Sequence, residues 1–309
     1  DRVYEYGIDR FYKLFNARQL LAHVTIVRFV REAYRRLSEG SDEEFAKAVV
    51  TYLALAHGKL LDYNSVITSW DPQGKGSVNH TFDTHAYAFT KDFGEGDMIS
   101  ERVGLHWTLF SPTGVISALR KIIELLKPIR GKGSVIVALG DASDPSLYIE
   151  AGELDYIITD PPYYDNVQYC ELSDFFYVWF KRSIGKLYPE AFSSELTPKK
   201  DEIVVSRSQG KDERWFERKM REALELMRAS LRPDGMAIVM YAHRSTRGLR
   251  AMLNAALDAG FTPVAVWGFA SEQPRSLHLV GKAAVKSLLV LALEPRKEAE
   301  RRIWDASLK

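Results

Sequence analysis

DYIITDPPYYDNVQY, residues 155–169, carries the strongest structural signal in the chain. The apolar run Tyr156, Ile157, Ile158 ends at Asp160, and two prolines follow at once. The run reads as a short buried strand and the prolines as its stop. Each proline fixes its own φ and lacks the N–H that a sheet ladder needs. A cluster of aromatic and amide side chains then follows within a few residues.

Outward from this stretch the pattern alternates. SVIVALGD (134–141), GMAIVMYAH (235–243), FTPVAVWGFA (261–270) and VKSLLVLALE (285–294) read as four further strands. Helical periodicity lies between several of them, in ELSDFFYVWFKR, DERWFERKMREALELMRASL and TRGLRAMLNAALDA. Strands alternating with helices predict an α/β, doubly wound sheet over residues 131–296, with 297–309 as a C-terminal tail. Residues 1–130 read as a helical region. Leu20, Val24, Val27, Val30 and Tyr34 fall roughly on one face, and Phe45, Val49, Leu53 and Leu60 repeat the pattern. Residues 64–100 form a long irregular connection. SPTGVISALRKIIELLK predicts a helix capped by Ser111 with Pro112 in its first turn.

The bulk numbers exclude several classes. The 309 residues are 46% hydrophobic and 27% charged, with a formal net charge of +1. No apolar run reaches the roughly 18 residues of a membrane helix, so no membrane partner is expected. A single cysteine, Cys170, excludes a disulfide framework and a cysteine-based zinc cluster; it reads as a small buried residue in a cytoplasmic protein. His80 and His85 share a loop with Asp83, a sparse spacing that reads as solvated loop and predicts no metal. The near-neutral charge neither demands nor forbids nucleic acid, because a local patch suffices.

Ligands of open α/β sheets bind beyond the carboxyl ends of the strands, where Asp160 stands. Asp160 is an acidic acceptor, the proline carbonyls are rigid acceptors, and Tyr163 is a flat plate beside them. The set suits a planar group bearing an –NH₂. Arg244 and Arg247, just after the third strand, face the same sheet edge and are candidates for phosphate contact. SELTPKKDEIVVSRSQGKDERWFERK reads either as a recognition loop or as a solvated insert.

Asp-Pro-Pro-Tyr after an apolar strand resembles the signature of amino-methyltransferases that use S-adenosylmethionine (SAM). The flanks extend the likeness. DPPYYDNVQYCELSDFFYVWFKR, RFYKLFNARQLLAH, LDYNSVITSWDP, the TPK at Thr197 and GKAAVKSLLVLALEPR look like the archaeal and bacterial adenine-specific DNA methylases that carry an N-terminal domain of unknown function. The resemblance covers most of the chain. It implies a partial Rossmann-like methyltransferase sheet and methylation of adenine N6 in DNA, with an RNA base or a protein amide as other amine acceptors. Asp160, Pro161, Pro162 and Tyr163 would be catalytic. Gly140, Asp141 and Ala142 would touch the SAM adenine, and Tyr164 and Asn166 would hold the extruded base.

One departure is large. The glycine-rich loop that would hold the methionine part of SAM is missing, because GKGS at 131–134 precedes a strand rather than following one. In the resembled fold two strands would lie between 134–141 and the strand ending at Asp160. The expectation is therefore that a preceding segment or a second chain supplies them, or that the sheet is reorganised. A non-catalytic nucleic-acid or partner module that keeps the turn is the remaining alternative.

Overall fold

The computed structural model describes residues 2–70, 77–90, 92–102, 104–147, 152–242, 245–269 and 288–297. The chain divides into two compact units, Asp1–Val137 with Cys170–Pro198, and Ala138–Tyr169 with Lys199–Lys309. The boundary thus falls a few residues beyond the expected one. The aromatic helix after the proline turn also belongs mainly to the helical unit.

In the helical unit, the short helix α1 (Arg2–Glu5) precedes the long α2 (Ala17–Gly40) and α3 (Glu43–Tyr63). Asn16 and Gln19 cap α2 reciprocally, each side chain accepting from the other's backbone N–H, and Asp42 caps α3. Helices α4 (Leu105–Phe110), α5 (Val115–Leu126) and α6 (Tyr169–Ser183) follow. Leu14, Phe15, Val27, Leu61, Phe175 and Trp179 form one core cluster; Val30, Val50, Ala54 and Ile184 form another. The irregular connection is held by side chains: Asn64 Oδ1 accepts from Gly96 N–H at 2.9 Å, and Thr68 Oγ1 donates to Gly94 O at 2.7 Å. The expected start of the third long helix is corrected. Ser111 ends α4, Gly114 is the N-cap of α5, and the helix begins after the Ser-Pro pair rather than within it. No residue of α5 is buried, and Ile122, Ile123, Leu125 and Leu126 stand exposed.

A histidine pair that the periodicity did not single out lies in this core. His23 Nε2 contacts Asn64 O at 3.1 Å, so that nitrogen carries the proton and donates. His23 Nδ1 is therefore bare and accepts from His57 Nε2–H at 3.1 Å. Both rings are fully buried beside Trp179. Burial pushes the His23 pKa down to about 4, against the opposing effect of its bond to Asn64. Burial, then His23, pushes His57 down to about 3.

The second unit is a mixed four-stranded sheet in the order β1-β2-β4-β3. Its strands are β1 (Leu154–Thr159), β2 (Leu231–Tyr241), β3 (Phe261–Phe269) and β4 (Leu288–Pro295). β1 and β2 are parallel, and β4 runs antiparallel to both of its neighbours, so β1, β2 and β3 share one direction. Helices α7 (Glu213–Ser230) and α8 (Thr246–Asp258) cover one face. There Phe216, Met220, Leu224, Met252 and Ala255 pack on Ala237, Val239, Tyr241, Phe261 and Leu293. The segment RPDG (232–235) lies inside β2, and the β1–β2 register shifts between Leu154 and Tyr156 opposite.

The α/β class holds, with a correction in strand number. Residues 134–141 form no strand, and Val135, Ile136, Val137 and Leu139 are 74–90% exposed. Among the described residues β1 pairs on one side only. Tyr156 and Ile158, on the face away from α7 and α8, are about two-thirds exposed at 66% and 67%. Apolar runs of this kind gain stability only when paired and covered, and the sequence pattern registers the requirement rather than its fulfilment.

The histidine pair yields a pH dependence. Both pKa values lie below the unfolded value, so the stabilisation is present above about pH 6.5 and is lost as pH falls toward 4 and 3. By pH 5 each imidazole costs the fold about 2 kcal/mol relative to neutral pH. Urea midpoints of the helical transition should fall between pH 7.5 and 5, and less steeply in His57→Gln. A midpoint independent of pH over that window would mean that the rings are not held neutral.

Candidate functional site

The carboxyl ends of β1 and β2 lie side by side, and the chain leaves β1 through Asp160, Pro161 and Pro162. Asp160 is exposed at this edge, and the prolines and Tyr163 are half-buried. A cleft of about 340 Å³ is lined by Asp160, Pro162, Tyr163 and Tyr169. It therefore combines one carboxylate with two aromatic rings.

Local geometry sharpens the acceptor set. Tyr164 N–H donates to Pro162 O at 3.1 Å, and Asn166 N–H donates to Tyr163 O at 3.0 Å. The expectation that both proline carbonyls stay open is therefore corrected: Pro162 is occupied by the turn itself. The Pro161 carbonyl has no hydrogen bond among the described residues. Asp160 Oδ1 accepts from the Tyr163 hydroxyl at 2.7 Å. Burial, then this bond to Asp160, raises the Tyr163 pKa well above the usual tyrosine range, so the phenol keeps its proton at neutral pH. Tyr241, fully buried at the end of β2, sets its ring nearly perpendicular to Tyr163, 5.8 Å between centroids. Burial raises the Tyr169 phenol above the usual tyrosine range.

Tyr164 belongs to the core rather than to the cleft. It is 4% exposed, packs edge-on against Phe216 of α7 at 5.1 Å, and has a left-handed φ of 55°. A bulky residue adopts that conformation only where its surroundings enforce it, at a cost of about 1–3 kcal/mol. The enforcing contacts are visible. Val205 N–H donates to Tyr164 O at 2.9 Å, and Gln168 Nε2 donates to Val205 O at 3.1 Å. The Ile-Val-Val triplet inside the expected recognition loop is thus the anchor of the turn, with Ile203 and Val204 buried. Lys211, also buried, donates to Glu202 O at 2.9 Å and to the Lys199 carbonyl. Within that stretch Ile203, Val204, Ser206 and Lys211 are buried, while residues on either side of them remain exposed. Its apolar triplet was the signal available in the sequence.

The remaining candidates separate. Asn166 is half-buried and helps close the turn through its N–H. Arg247, in the first turn of α8, pairs with Glu213 of α7, its Nε 2.8 Å from the carboxylate, and also bonds the Tyr164 hydroxyl. Its charge is thus largely matched by Glu213, and the side chain braces the turn. Arg244 lies outside the described residues. Asp141 accepts from the Ser143 N–H and Oγ, both at 2.7 Å, and Lys219 Nζ reaches that Oγ at 3.2 Å. Gly140, Asp141 and Ala142 do not line the cleft. Cys170 is half-exposed rather than buried. His80 bonds Asp62 at 2.5 Å and Tyr63 at 3.0 Å, and the described residues contain no metal-binding group of three or more ligands.

Truncation should separate bracing from chemistry. Tyr164→Ala should destabilise the sheet unit by about 3 kcal/mol through the lost aromatic volume. Asp160→Ala, at an exposed strand end, should change stability by less than about 0.5 kcal/mol. Urea titrations of both variants check this, and equal losses would place Asp160 among the structural residues. A scan against protein-family models and a search of curated proteins find no match to this chain.

Proposed function

We propose that the chain is the acceptor-binding part of a SAM-dependent amino-methyltransferase, acting on N6 of adenine in DNA. The observation that carries the reading is the clustering at one strand end of a carboxylate, an open Pro161 carbonyl and an aromatic plate. An exocyclic amine is a poor nucleophile because its lone pair is delocalised into the ring. Two acceptors can take its two N–H groups, draw the nitrogen toward tetrahedral geometry and aim the lone pair outward. Asp160 and the Pro161 carbonyl are those acceptors. Positioning and electrostatics then do most of the work. Tyr163 stacks on the base for about 1–3 kcal/mol, which offsets part of the cost of unstacking it from DNA.

The described residues do not make a cofactor site to match. The Asp141 carboxylate is engaged by Ser143, and its segment lies outside the cleft. The open side of β1 and the unpaired apolar residues 135–139 instead favour completion by further strands, on a second chain or on another segment, that bring the cofactor loop with them. The same observation favours a second reading, in which this chain serves as a non-catalytic nucleic-acid-binding module.

Two measurements separate the readings. N6-methyladenine in the DNA of cells producing the protein, quantified by nucleoside mass spectrometry, should fall to background in Asp160→Ala. An unchanged level would remove Asp160 from the chemistry. Calorimetry of SAM with the 309-residue chain alone should show no binding in the micromolar range. Micromolar binding would mean that the chain carries its own cofactor site.

A further inference from the structure

We propose that the Tyr163 hydroxyl is a positioning group, which ties the aromatic plate to the Asp160 carboxylate so that stacking and amine recognition act as one unit. The proposal rests on the amine-acceptor reading above. Its geometry is independent of that reading. The hydroxyl meets Asp160 Oδ1 at 2.7 Å across only Pro161 and Pro162, whose φ angles are fixed, so the two side chains close a small rigid loop. Tyr241 stands edge-on against the same ring. The ring is therefore held at its hydroxyl and at its side.

The consequence falls on Asp160. A carboxylate on an exposed strand end turns freely about its side-chain bonds. Anchoring Oδ1 selects one orientation and leaves Oδ2, which has no hydrogen bond among the described residues, to accept from a ligand N–H. Because the ring and the carboxylate are tied, a base stacked on Tyr163 brings its amine to a preset acceptor. Removing only the hydroxyl keeps the plate and releases the carboxylate. The preference for an amine-bearing base should then fall while stacking persists.

The test uses thymidine oligonucleotides with one central adenine or one central N6,N6-dimethyladenine, which has no N–H to donate. Affinities for the 309-residue chain are read by fluorescence anisotropy. The wild type should prefer adenine. Tyr163→Phe should lose about tenfold of that preference while binding the dimethyl probe within about twofold of wild type. Tyr163→Trp, which also offers a plate without the hydroxyl, should behave as the Phe variant does. In Asp160→Ala, carbon-13 NMR of ring-labelled tyrosine should show the Tyr163 titration moving down toward the ordinary tyrosine range. A Phe variant with undiminished preference, or a Tyr163 titration indifferent to Asp160, overturns the tether and leaves the amine reading standing. No preference in the wild type overturns the amine reading, and the proposal with it.

Discussion

The site depends on one strained residue. Tyr164 reverses the chain after the proline pair with a φ of 55°, and its side chain turns into the core against Phe216. That inward turn sends Tyr163 the other way, toward the cleft. It also sets the backbone that Val205 pairs with, and through Gln168 the start of α6. The Arg247–Glu213 pair joins α8 and α7 beside the Tyr164 hydroxyl. The strain is sustained because each of these contacts would be lost if the backbone relaxed.

A second constraint is hydrophobic. β1 carries apolar side chains on both faces, yet only the face toward α7 and α8 is packed. Residues 135–139 and α5 add further exposed apolar surface. Exposed apolar surface and an open strand edge each favour association with a partner. The sheet unit thus has a well-packed interior on one face, near the acceptor cleft, and an open edge at β1.

The two units also differ in how they handle polarity. In the helical unit, histidines are kept neutral in an apolar core by donating in series toward Asn64 O. At the cleft, a carboxylate is kept partly exposed and given a phenol as donor. The first arrangement serves stability and is sensitive to acid. The second leaves acceptor capacity where a ligand can reach it.

Several features were legible in the sequence alone because their causes are local. The proline pair stops β1 at Asp160, and the alternation of apolar runs with helical periodicity gives the α/β class. Other features needed the tertiary structure. The inward turn of Tyr164, the pairing of Arg247 with Glu213 and the anchoring Ile-Val-Val triplet depend on residues 34 to 52 positions away in sequence, beyond the reach of any local pattern. The apolar segment 134–141 shows the limit most clearly. Its composition satisfies every strand criterion, but a strand exists only when a neighbour completes its hydrogen bonds, and among the described residues it has none.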